Sequence, residues 1–66
     1  MKLDLFKINA LMASNEISKS QLAKKSNISK QWIYMVLGRG FASPKIVNKL
    51  AKGLNVPVQE IILKEQ

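Results

Sequence analysis

Between Ser18 and Gly40 the chain starts two helices and stops two helices, which leaves little freedom for anything but a tight helix–turn–helix hairpin. Ser18 is followed three residues later by Gln21, the capping-box pattern. The Ser18 hydroxyl can accept the Gln21 backbone N–H while the Gln21 amide reaches back. Leu22 and Ala23 then fall on the inner face of a helix of roughly two turns, expected over Lys19–Ser26. Ser26-Asn27 should break it, because Asn tolerates the left-handed conformation that ends helices. Ile28 plugs the turn. Ser29 caps a further helix, expected over Lys30–Leu37, in which Ile33, Val36 and Leu37 recur at i, i+3 and i+4. Gly38 and Gly40 are expected to end it.

The flanks read as helices too. Asp4 can cap a first helix over Leu5–Ala13, with Leu5, Ile8, Leu11 and Met12 as its inner stripe. Phe6 lies off that stripe and either packs on the C-terminal helix or is partly exposed. Ile17 anchors the connector. Ser43 before Pro44 is a clean start signal, since Pro loses no bond at the first helical position. Ile46, Val47, Leu50, Ala51 and Leu54 form the apolar face of this helix, and Gly53-Leu54-Asn55 is expected to end it. Pro57 opens a last short helix over Val58–Leu63, with Lys64-Glu65-Gln66 frayed. The expected fold is all-α: five short helices, no strand, and a single domain over residues 1–66. At 47% apolar residues the chain can form a compact core, though a domain of this size buries only about 60% of its unfolded surface.

The joint spacing of Ser18, Leu22-Ala23, Ile28-Ser29, Ile33, Gly40 and Pro44 resembles the lambda-repressor-like (Cro/CI, XRE-type) helix-turn-helix family. The resemblance runs from about Leu5 to Leu63 and is greatest to small phage Cro-type repressors. It implies a small residue at Ala23, where the next helix crosses closely. Many members hold a buried Arg–Glu ion pair at the positions of Met12 and Leu37; here an apolar contact is expected instead. Such a replacement is often neutral or stabilising, because two charges need no desolvation. Between Ile33 and Pro44 the chain has one residue more than the commonest family spacing. The 38–43 loop should therefore be irregular, with Phe41 folded back on the core and Arg39 facing out.

Charge agrees with that resemblance. Ten lysines and one arginine against four carboxylates give a net +7, an excess that points to a polyanion. There is no Cys and no His, so thiolate or imidazole metal sites, disulfides and Cys or His catalysis are excluded. No nucleophile–base pair, phosphate loop or metal cluster is visible, and no enzyme, cofactor or small-molecule ligand is expected. The absence of a long apolar run and of a signal-peptide core leads to the expectation of a cytoplasmic protein with no membrane partner; the resemblance implies a bacterial cell and a phage or mobile-element origin.

In the family the second helix of the motif enters the major groove. The resemblance therefore assigns base contacts to Lys30, Gln31 and Tyr34. Gln31 matches adenine N6/N7, Lys30 can donate to guanine O6/N7, and Tyr34 can pack on a thymine methyl. Backbone contacts are expected from Ser18, Lys19, Ser29, Trp32, Arg39 and Lys45. Two readings of Trp32 stay open, stacking on sugar–phosphate and packing over neighbouring aliphatic stems. Val56, Pro57, Val58 and Ile62 either complete the core or form a weak homodimer interface.

The leading expectation is a sequence-specific regulator that occupies an operator on double-stranded DNA, as a dimer on two half-sites. The length favours a stand-alone Cro-like protein. The alternatives are an antitoxin-like protein-interaction module and an architectural or excision accessory factor.

Overall fold

The structure is a computed structural model that describes residues 1–64; Glu65 and Gln66, expected to fray, lie outside the described residues. Four α-helices follow one another: α1 (Leu5–Ser14), α2 (Lys19–Ser26), α3 (Lys30–Arg39) and α4 (Pro44–Leu54). Each begins where a side chain can satisfy a free helix N–H. The Asp4 carboxylate accepts the Lys7 N–H at 3.0 Å. The Ser18 hydroxyl accepts the Gln21 N–H at 3.2 Å, and the Ser18 N–H donates to Gln21 Oε1 at 2.7 Å, completing the capping box. The Ser29 and Ser43 hydroxyls take the Trp32 and Ile46 N–H groups. Both α2 and α4 stop at an asparagine in the left-handed region, Asn27 at φ 56° and Asn55 at φ 60°. In each, the following residue closes the end: Ile28 N–H donates to the Ala23 carbonyl and Val56 N–H to the Ala51 carbonyl, both at 3.0 Å.

Two helix ends differ from expectation. Helix α3 runs through Gly38 to Arg39 and is closed by Gly40 at φ 80°. Gly40 alone meets the demand for a positive φ, so Gly38 is an interior helical residue. Gly53 likewise lies inside α4, with Asn55 as the stop.

The last expected helix is replaced by a 3₁₀ turn over Val58–Glu60. Its physical competitor is the N-terminal segment. Leu3 pairs with Ile62 in one antiparallel bridge, and Lys2 pairs with Phe41 in another. The Asp4 N–H donates to the Ile61 carbonyl at 2.9 Å and the Leu63 N–H to the Lys2 carbonyl at 3.0 Å. These bonds tie residues 61–63 to the N-terminal segment, and a helix over the same residues would forfeit them. What reads as a lead-in is thus a clasp between the α3–α4 loop and the C-terminal segment, and Leu3 is buried within it. Among the described residues there are four α-helices, one 3₁₀ turn and no strand beyond these single bridges.

One core joins Ile8 and Met12 of α1, Leu22 and Ala23 of α2, Ile33, Val36 and Leu37 of α3, and Val47, Leu50, Ala51 and Leu54 of α4, with Leu3, Ala42 and Ile61 from the connecting segments. Met12 and Leu37 are both buried in it, as the expected apolar contact requires. Leu5, Leu11, Ile17 and Ile28 pack against its edge. Phe6 does not join: it is 84% exposed. Helix α2 packs chiefly on α4 and α3. Its contact with α4 is close because Gly53 faces Ser26, and a Cβ on Gly53 would come within 3.1 Å of the Ser26 backbone nitrogen. Lys7 Nζ reaches Glu60 Oε2 at 3.0 Å, an exposed pair of small energetic weight.

Candidate nucleic-acid interface

The core claims one side of α3 and leaves the rest to solvent. At about 100° per residue, Gln31, Met35 and Gly38 fall within roughly 60° of one another, opposite Ile33, Val36 and Leu37. Lys30 and Tyr34 lie on one flank of this strip, and Trp32 and Arg39 on the other. Gln31, Tyr34, Met35 and Gly38 are exposed, as are Lys30, Trp32 and Arg39.

Each flank carries a cation over an aromatic ring. Lys19 Nζ, from the first position of α2, lies 5.3 Å from the centre of the Tyr34 ring. On the other flank the Arg39 guanidinium carbon lies 5.9 Å from the Trp32 ring centre and 4.7 Å from that of Phe41. A cation at this distance is drawn by the negative face of the ring. The two flanks therefore hold positive charge on either side of a neutral, hydrogen-bonding strip. An α-helix of about 10–12 Å diameter fits a major groove of about 12 Å, with such flanks directed at the two phosphate rims.

The helix starts add donors. In α2 and α3 the capping serines take the third N–H of each helix, leaving the N–H groups of Lys19, Ser20, Lys30 and Gln31 without a capping partner. The Ser18 N–H is committed to Gln21 Oε1. The Ser18 and Ser29 hydroxyls accept in their caps and each retains its O–H for donation. Lys45, at the second position of α4, is exposed beyond the loop.

Phe41 and Gly38 stand otherwise than expected, while Met35 faces outward as its position on the helix predicts. Phe41 does not fold back on the core: it is 52% exposed, because its backbone pairs with Lys2 and its neighbour Ala42 takes the buried position. Met35 is nearly half exposed on the central strip. Among the described residues, no atom beyond its own helix backbone and chain neighbours lies within 4 Å of where a Gly38 Cβ would be, and Gly38 follows Gln31 by seven residues, a spacing that could have revealed it. Gly38→Ala is expected to raise Tm, since Ala is favoured over Gly inside a helix by about 1 kcal/mol. It should at the same time lower duplex affinity, since it fills the surface at the centre of the strip. Thermal melts and DNA titration of the one variant check both signs.

Of the four candidate interface residues, Val56, Val58 and Ile62 are half-buried against the core and Pro57 is exposed. No described helix is long and apolar enough to cross a membrane, and the described residues hold no cluster of metal-ligating side chains.

The family model described as the bacteriophage CI repressor helix-turn-helix domain matches residues 8–66. The chain belongs to this family. Comparisons with curated proteins and with solved structures give no match. In this CI-repressor-type domain, α2 and α3 are the helix-turn-helix, and the family is a DNA-binding one.

Proposed function

We propose that the protein is a transcriptional regulator that reads a specific operator by laying α3 in the major groove of double-stranded DNA. The observation that carries this reading is the outer side of α3: a strip of Gln31, Met35 and Gly38 between two flanks of cation–aromatic pairs. Gln31 and Lys30 read base edges and Tyr34 packs at the rim of the same strip. Lys19, Arg39 and Lys45, with the hydroxyls of Ser18 and Ser29 and the ring of Trp32, hold the sugar–phosphate backbone. Repression then needs no chemistry, only occupancy of a site that a polymerase must use.

One helix contacts too few base pairs for useful selectivity, so two copies act together on half-sites about 34 Å apart. The surface around Pro57, between half-buried Val56 and Val58 and continued by Ile62, is the proposed contact between them. The interface is small, and DNA assembles the dimer.

A salt titration tests the electrostatic part. With about four phosphates neutralised per subunit, log K should fall steeply and linearly with log salt. Lys19→Ala should weaken binding to every duplex nearly equally and reduce the slope by about 1. A variant that instead loses affinity for one sequence only would remove Lys19 from the backbone contacts.

A further inference from the structure

Arg39 is the one arginine among eleven basic residues, and its surroundings differ from those of the lysines. Its guanidinium lies over two aromatic rings, Phe41 and Trp32. Its Nε–H donates to the Phe41 carbonyl at 3.1 Å. Among the described residues no carboxylate pairs with it, the one ion pair being Lys7–Glu60. The two terminal nitrogens therefore keep their N–H groups for an outside acceptor, while the rest of the group is fixed. A guanidinium held in this way offers two parallel donors, which match the two free oxygens of a phosphodiester. Fixing it in advance lowers the entropy lost when those bonds form.

We propose that Phe41 and Trp32 are positioning residues that pre-set Arg39 to clamp one backbone phosphate beside the groove, at the C-terminal end of α3. The proposal rests on α3 as the groove helix and adds a residue, Phe41, that by itself reads nothing. The Lys2–Phe41 bridge and the bond from the Arg39 Nε–H to the Phe41 carbonyl hold the loop where the Phe41 ring meets Arg39. The clamp is indifferent to base sequence.

The test is a double-mutant cycle read on a duplex of mixed sequence, about two helical turns long, at low salt. Arg39→Ala should weaken binding about tenfold. Phe41→Leu keeps an apolar side chain and the backbone pairing with Lys2 but removes the ring face; it should weaken binding roughly threefold to fivefold. In the Arg39→Ala background Phe41→Leu should have no further effect, and Phe41→Tyr should bind as the wild type does. Trp32 is the only tryptophan, so its emission should also change in free Arg39→Ala while helix content by circular dichroism stays constant. Equal loss from Phe41→Leu in both backgrounds would overturn the proposal, as would an Arg39→Ala variant that binds like the wild type. Failure of the wild type to bind any duplex is a different result: it removes the DNA-reading function and the clamp with it.

Discussion

Gly53→Ala is expected to lower Tm by about 10 °C, against the usual gain from replacing a helical glycine. Ala should favour an α4 interior position by about 1 kcal/mol. The added Cβ would overlap the Ser26 Oγ, however, and would approach the Ser26 backbone nitrogen to 3.1 Å and its Cα to 3.2 Å. Ser26 is itself buried, so its hydroxyl has no open side to rotate into. Overpacking of this kind costs about 1–3 kcal/mol. In a domain of this size, each kcal/mol moves Tm by about 4–8 °C. Among the described residues the Ser26 Oγ also has no hydrogen-bond partner, so Ser26→Ala alone should be neutral or stabilising. Combined with Gly53→Ala it should recover most of the lost Tm. Thermal melts of the four proteins decide between a hydroxyl clash, which Ser26→Ala relieves, and a backbone clash, which it leaves. A Gly53→Ala protein as stable as the wild type would mean that α2 and α4 do not approach so closely.

Gln31→Ala should cost about 1–3 kcal/mol of affinity for the preferred site and nothing on a scrambled duplex. Gln31 is exposed near the start of α3 and, among the described residues, its side chain makes no hydrogen bond that a shorter one would break. Stability should therefore stay level or rise slightly with Ala. A glutamine amide can donate and accept at once, so its loss should relax preference at one base pair and leave phosphate contacts in place. Paired titrations on cognate and scrambled duplexes give the result. Equal weakening on both would take base reading away from Gln31.

Helix positions were legible because their signals are local. The serine caps, the Asn27 stop and the 3.6-residue apolar stripes of α2, α3 and α4 need only a few neighbouring residues to act. The outward side of α3 was legible for the same reason, since periodicity separates Gln31 and Tyr34 from Ile33 and Val36. What was hidden depends on contacts between distant residues. Leu3 is buried because it meets Ile62, fifty-nine positions on, and that same pairing leaves a 3₁₀ turn where Val58, Ile61 and Ile62 have a helical spacing. Gly53 reads locally as a helix end; only the approach of Ser26 shows why the position tolerates no Cβ. Phe41 reads as a core residue by its chemistry, yet the loop's pairing with Lys2 buries Ala42 and turns the ring towards Arg39. The cation–aromatic flanks join Lys19 to Tyr34 and Arg39 to Phe41 across turns whose paths no single helix dictates.

Sequence-selective reading of duplex DNA by α3 is tested most directly by selection from a random duplex pool at near-physiological salt, with the bound fraction sequenced. An enriched inverted repeat is predicted, its half-sites centred about one helical turn apart. Binding that enriches no sequence and vanishes as salt rises would contradict it, leaving the +7 charge as a source of non-specific affinity alone.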